Sequence, residues 1–445
     1  MKIKKRSRVT SSSASSKRRR KLFRSLAIIV GVPVTIFTLL LAATPFSQLA
    51  RGVMFSLVLW QDTDINHIKV FPARDIPTST ASDLPRQLDD TTLDAFGKLD
   101  LNSYIYRLEE PAPGEVVYAQ EPIFLRARAE LDQFFAENET TAFLVVKDGV
   151  LVHEWYSEDI DPNALHTSFS VSKSMTSTLV GMAISDGLIS SIDDPITDYI
   201  PELLDKDPRF GKITLRHLIT MTSGIAYDED DLSVWGDQIN TYYGTNLRKS
   251  AITKTKISEE PGVRWNYNNY NPQLLGIAVE RATGMKISEY MSKKVWAPMG
   301  AEADASWSMD SFYNGFEKME SGFNARPIDF ARFGLMFANE GVVNGKQVVP
   351  QDWVKEATAP TGVSIGRMDM LEQNYNHFWW VYPKNKNRFA AQGVLGQYIL
   401  ISPDDETVIV RLGNGEYTVM WPMLLLDLAD RLNTDVLNTN IPQGQ

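Results

Sequence analysis

The chain has 445 residues, a net charge of −10, 43% apolar residues and no cysteine. The missing cysteine excludes disulfides, thiolate metal sites and a cysteine nucleophile. Five scattered histidines (His67, His153, His166, His217, His377) form neither His-x-x-x-His nor His-Glu-x-x-His, so neither metal nor cofactor is expected. The charge is uneven: residues 1–24 hold eleven Lys/Arg and no acid, which leaves 34 basic against 55 acidic residues, a net of −21, for 25–445. An acidic body excludes a nucleic-acid-binding face, which must neutralise phosphates.

Residues 1–25 read as a basic tail on the cytoplasmic side. From Leu26 to Ala43 the chain runs through 18 apolar or small residues, enough to span a hydrocarbon core of about 30 Å. Lys17–Lys21 orient it by the positive-inside rule. Residues 26–46 are therefore expected to be one transmembrane helix, with a cleaved signal peptide as the competing reading. The first places the body on the periplasmic face of an inner membrane; the second secretes it. Residues 47–120 are Pro-rich and aperiodic and read as a connector. Its apolar start, Val53 to Trp60, suits either a membrane interface or packing on the body.

The body, 121–433, opens with a helical spacing over 121–137 (Phe124, Ala127, Leu131, Phe134). Two strand-like runs follow, Thr141–Val146 and Val150–Tyr156, joined by Lys147-Asp148-Gly149. A helix is expected from Ser170. After a largely helical middle, Gln397–Ile401 and Glu406–Leu412 read as strands, and Met420–Leu432 as an amphipathic helix ahead of a tail at 434–445. Strands at both ends predict an α+β fold, one sheet built from both termini with an inserted mainly helical subdomain.

Three stretches carry chemistry. Phe169-Ser170-Val171-Ser172-Lys173-Ser174 holds the chain's one Ser-x-x-Lys, which a helix brings onto one face, so that the Lys173 amine can serve as base for the Ser170 hydroxyl. In Pro261-Gly262-Val263-Arg264-Trp265-Asn266-Tyr267-Asn268-Asn269, Tyr267 is a phenol able to shuttle a proton beside a lysine, and Asn269 an amide able to bond lysine and substrate. A buried structural tyrosine in an Asn-rich turn is the alternative. Ala391-Gln392-Gly393-Val394-Leu395-Gly396-Gln397 precedes a strand, and its glycines suit either close approach of a substrate to backbone N–H groups or a tight turn. His377 to Trp380 and Tyr382 could line an acyl pocket or the core equally. A Ser-His-Asp triad through His166 leaves Lys173 without a purpose. Asp228–Asp231 reads as a solvated loop, with a substrate gate as the alternative.

Taken in order, Ser-x-x-Lys, then Met-Thr-Ser-Gly (221–224), then Pro-Gly-x-x-Trp-x-Tyr-Asn-Asn, then Gly-x-x-Gly-Gln, the chain resembles the β-lactamase-related serine hydrolases over about 121–433. The resemblance leans to the 6-aminohexanoate-dimer hydrolase and esterase branch. It implies a five-stranded antiparallel sheet flanked by helices. It also implies Ser170 as acylated nucleophile, Lys173 as base, Tyr267 as proton relay to the leaving group and Asn269 as orienter. The oxyanion hole would be the N–H groups of Ser170 and Val394, with Gly393 and Gln397 supporting the substrate site. β-Lactamases and DD-peptidases commonly carry Lys-Thr-Gly where this chain has Ala391-Gln392-Gly393. Losing one charge-assisted hydrogen bond of roughly 1.5–3 kcal/mol weakens carboxylate recognition about ten- to a hundredfold. The expected activity is hydrolysis of small esters or amides, ahead of a DD-peptidase, a β-lactamase or a non-catalytic envelope binding protein.

Overall fold

The structure, a computed structural model, describes residues 68–69, 71–79, 81–105, 122–229, 236–368, 371–415 and 418–438. Residues 64–230 and 246–445 form one compact unit; of the other, 1–63 with 231–245, the described part is a short helix at Asp237–Tyr243.

Strands are β1 (Ala73–Ile76), β2 (Thr140–Lys147), β3 (Val150–Tyr156), β4 (His166–Thr167), β5 (Ala305–Ser308), β6 (Phe323–Ala325), β7 (Val342–Val343), β8 (Lys346–Gln347), β9 (Val363–Met368), β10 (Leu371–Asn376), β11 (Trp379–Tyr382), β12 (Arg388–Gly393), β13 (Gln397–Ser402) and β14 (Thr407–Gly413). The helices used below are α1 (Thr91–Phe96), α2 (Arg128–Glu137), α3 (Val171–Ser185), α4 (Leu215–Ile219), α5 (Tyr270–Thr283), α6 (Pro327–Ala338), α7 (Gln351–Ala357) and α8 (Trp421–Asn438).

The main sheet is antiparallel throughout, in the order β3-β2-β14-β13-β12-β11-β10-β9. This corrects the expected five strands to eight. The first five strands in that order make up the sheet the resemblance implied; β11, β10 and β9 extend it. The extension was hidden because β10 is largely polar (Leu371-Glu372-Gln373-Asn374-Tyr375-Asn376) and because Trp379–Tyr382, buried throughout, reads equally as pocket or core. The expected membrane-spanning helix at 26–46 lies outside the described residues. Among the described residues no helix is long and apolar enough to cross a membrane. The fold class is thus an eight-stranded α+β fold with no membrane span among those residues.

Strand alternation sorts the core into two layers. Ala142, Leu144 and Val146 of β2 and Val408, Val410 and Leu412 of β14 face α3 and α6. Phe143, Val145 and Ile409 face the other way, onto α1, α2 and α8, where Phe135 stacks on Phe143 at 4.5 Å between ring centroids. The first body helix starts at Arg128 rather than near 121, leaving Phe124 exposed before it; Leu131 and Phe135 carry its buried face. Within the stretch read as a connector, Ala73–Ile76 pairs with β5, and Phe96 of α1 packs in the second layer. The unions of β2 with β14 and of β12 with β13 bring residues 140–170 beside residues 390–415.

Candidate active site

Ser170 is the residue that opens α3, and Val171 to Ala183 behind it are buried. Phe169, just before it, sits in the left-handed region at φ 48°. A non-glycine residue there costs on the order of 1–3 kcal/mol and persists where its surroundings enforce it. The enforcement is visible. Ser168 N–H and Oγ–H both donate to Phe323 O at 3.1 and 2.7 Å, and Ser172 Oγ accepts from Phe323 N–H at 2.8 Å. The bend is thereby locked to β6.

One turn along, Lys173 is 1% exposed, and its Nζ donates to Ser170 Oγ at 2.9 Å and to Glu320 O at 3.1 Å. Nζ also lies 4.6 Å from the centroid of the Tyr267 ring. Ser170 and Lys173 are neighbours in sequence, and the fold brings the distant Tyr267 to them. The lysine's second anchor is the backbone of Glu320, a partner that nothing in the sequence signalled.

The residue expected to orient the lysine lies beside Tyr227. Asn269 is buried, and its Nδ2 donates to Tyr227 OH at 2.8 Å. Its neighbour Asn268 holds the turn, donating to Ile225 O at 3.0 Å and accepting from Tyr270 N–H at 2.9 Å. The Met-Thr-Ser-Gly stretch is the bed for this turn. Met221, at φ 59°, accepts at Sδ from Asn268 N–H and from Asn271 Nδ2, while its carbonyl takes Asn266 N–H at 2.8 Å. Ser223 Oγ donates to Asn271 Oδ1 at 2.8 Å.

Behind Lys173, the segment Phe316–Ser321 carries buried charge. Glu320 and Lys318 are each 1% exposed, their charged atoms 3.4 Å apart, and burial holds the Lys318 amine below its usual range. Ser321 Oγ and Gln273 Nε2 also donate to the Glu320 carboxylate, at 2.9 and 3.4 Å. These contacts fix the backbone that presents Glu320 O to the lysine.

On the opposite side, Gly393 ends β12. A Cβ there would lie 2.4 Å from Ser168 O and 3.1 Å from Ser170 N. Only glycine allows the strand to run this close to the serine bend. Val394 follows, 42% exposed, in a turn completed by Leu395 (φ 65°) and Gly396 (φ 79°). Gln397 is fully buried. Its Nε2 donates to Val394 O at 3.2 Å and Gly413 O at 2.7 Å, and its Oε1 accepts from Gly413 N–H at 3.2 Å. Gln392 donates to Tyr382 OH at 2.7 Å.

Trp265, Tyr267, Tyr375 and Trp380 form an aromatic wall, with ring centroids 5.2–6.4 Å apart. Burial pushes the Tyr375 phenol well above its usual range, so this ring stays neutral. Of the aromatic run weighed as pocket or core, Trp379 is core, packed on Phe337 at 4.6 Å, and Trp380 belongs to the wall. His166 is buried in β4, and burial lowers its pKa to about 4. Its two ring nitrogens make no hydrogen bond among the described residues, which leaves no triad. Among those residues no group of three or more His, Asp or Glu is disposed to hold a metal ion.

A serine in contact with a buried lysine at a helix start, a tyrosine ring against the lysine and a glycine-edged strand against the serine make up the site. The β-lactamase family pattern matches residues 131–425, and the chain belongs to that family. It is 29% identical over 353 residues to the 6-aminohexanoate-dimer hydrolase of Paenarthrobacter ureafaciens, covering 74% of this chain and 84% of that one. Among solved structures, a Bacillus anthracis protein provisionally described as a 6-aminohexanoate-dimer hydrolase superposes with a TM-score of 0.67 at 21% identity, over 91% of this chain and 97% of the other. A family VIII carboxylesterase does so with a TM-score of 0.54 at 16% identity, over 68% and 96%. The two structures speak for the fold.

Proposed function

We propose that this hydrolase of the β-lactamase superfamily cleaves small esters or amides through an acyl-enzyme on Ser170. The observation that carries the reading is the 2.9 Å contact between Lys173 Nζ and Ser170 Oγ in a site that buries the lysine. In its neutral form the amine takes the Ser170 proton as Oγ attacks the substrate carbonyl carbon. The carbonyl oxygen gathers negative charge against the N–H groups of Ser170 and Val394, which the approach of Gly393 to the serine bend brings near each other. The tetrahedral intermediate collapses, and the departing alkoxide or amine takes a proton by way of Tyr267. Water then attacks the acyl-serine carbonyl, gives its proton back through the same groups, and frees the acid.

The aromatic wall supports an apolar or flat group on the substrate. Ala391 and Gln392, with no cation between them, disfavour the carboxylate-anchored substrates of DD-peptidases and β-lactamases. The relative from Paenarthrobacter makes a linear amide of 6-aminohexanoate one compound to include in a substrate panel.

The test is mass spectrometry of the Ser170 peptide after treatment with a fluorophosphonate, alongside turnover of p-nitrophenyl esters and anilides. A single adduct on Ser170 with ester turnover is expected. No adduct on that peptide overturns the reading, and stoichiometric labelling by a fluorescent penicillin with no ester turnover moves it to the peptidoglycan-directed class.

A further inference from the structure

Arg411 lies in β14, fully buried, outside every motif that marked the site. Its guanidinium bonds four backbone carbonyls and one hydroxyl, on three segments of the chain. Nη1 donates to Leu395 O at 3.2 Å and Gly396 O at 2.7 Å, both in the turn that carries Val394. Nη2 donates to Asn138 O at 2.8 Å and Gly415 O at 2.9 Å, and Nε to Thr140 Oγ1 at 3.2 Å. Its outer face lies on the Trp421 ring, with Cζ 4.2 Å from the centroid. The fit to the turn is close: a Cβ on Gly396 would fall 1.7 Å from Nη1.

Five donors in a rigid planar fork are what a guanidinium has, and all five directions are used. A buried cation is expensive to hold in place unless its hydrogen bonds are complete. Holding this one in place fixes the 394–396 turn in a left-handed conformation that Leu395 would not adopt alone. Gln397 braces the same turn from Val394 O to Gly413.

We infer that Arg411 is a positioning residue for the oxyanion turn: it ties residues 395 and 396 to the start of β2, and so fixes where the Val394 N–H stands relative to Ser170. It touches no substrate atom. The inference rests on the proposed role of the Val394 N–H. It adds that the donor's placement is set from behind, by a cation spanning residues 138–140, 395–396 and 415. An oxyanion donor acts only when it is held where the charge develops, and removing one such donor costs about 10²–10³ in kcat. A loosened turn loses part of that.

The experiment compares Arg411→Lys with the parent. Lysine keeps the charge but reaches only two or three of the five acceptors. Active sites are counted by fluorophosphonate titration, so that kcat is referred to folded, acylatable protein. The substrate is p-nitrophenyl butyrate, and the tetrahedral probe is butylboronic acid, which adds to Ser170. The expected result is a kcat lowered about 10- to 100-fold, a KM within about twofold of the parent, and a boronate Ki raised in proportion to the kcat loss. A purely structural arginine gives fewer titratable sites but unchanged kcat and Ki per site, and that result overturns the inference. If Arg411→Lys does not fold, Thr140→Val decides. It unhooks Nε alone, and a two- to fivefold fall in kcat with a matching rise in Ki supports the inference, whereas no change in either refutes it. Failure of the parent itself to be titrated at Ser170 strikes the proposed function instead, and the two failures are thereby told apart.

Discussion

Replacing Lys173 by Met separates a catalytic lysine from a structural one, because the two readings differ in the size of the stability change. Methionine fills nearly the same volume and removes the amine. Lost with it are hydrogen bonds to Ser170 Oγ and Glu320 O, at 2.9 and 3.1 Å, worth about 1.5–3 kcal/mol each if the group is charged. Recovered is the desolvation of an amine that is 1% exposed, an effective penalty of several kcal/mol per ion. Glu320 O is left without its lysine donor, while Ser170 Oγ, half-buried, can turn to water. The terms nearly cancel, and the variant should unfold within about 2 kcal/mol of the parent. Its rate should fall about 10²–10⁴-fold, the usual contribution of a positioned base. Denaturant unfolding followed by tryptophan fluorescence gives the first quantity; fluorophosphonate labelling rate and p-nitrophenyl butyrate turnover give the second. A loss of more than about 4 kcal/mol with turnover kept within tenfold would refute a catalytic lysine, because that is the signature of a buried cation holding two segments together.

Gly393→Ala is the steric counterpart: its Cβ would meet Ser168 O at 2.4 Å, so the strand end must move off the serine bend. Ester turnover should fall at least a hundredfold while the melting temperature shifts by only a few degrees, and parent-like turnover would show that the strand does not need its close approach. Stability should also decline in acid through two histidines outside the reaction. Burial lowers both His153 and His166 to about 4, against about 6.5 in the unfolded chain. Below pH 6.5 the unfolded state binds protons that the native state refuses, so stability is full above that pH and falls as pH drops toward 4. The loss is about 2 kcal/mol per histidine by pH 5. Urea midpoints measured from pH 7.5 to 5 should show it, and His166→Gln should flatten the slope by one histidine's share; an unchanged slope would mean that His166 does not titrate as described.

What was legible in the sequence was local chemistry with a fixed spacing. Ser170 and Lys173 lie one helical turn apart, so any helix starting there makes their contact. The strands of β2, β3, β13 and β14 announce themselves by apolar runs between turn residues. Illegible were the features that depend on what folds against what. Glu320 reaches Lys173 through its carbonyl, which carries no side-chain signature. Gln397 resembles a substrate ligand in a motif and is spent on Val394 and Gly413. Asn269 turns to Tyr227, a phenol 42 residues away in sequence whose position no periodicity fixes. The sheet's last three strands were missed because polar β10 lacks apolar alternation, its strand character coming from its pairing with β9 and β11.

The serine bend at 168–170 and its glycine partner at 393 are separated by more than two hundred residues, and the sheet that unites them is closed by β14 against β2. On the proposed reading, the nucleophile is therefore made early in synthesis and armed late. A growing chain that has passed residue 173 already contains serine and lysine. It has no edge for a carbonyl to lie against until the strands ending at Gly413 have formed, and pairing across such a span is slow. The serine is in this way kept from its strand partner until most of the chain has been made.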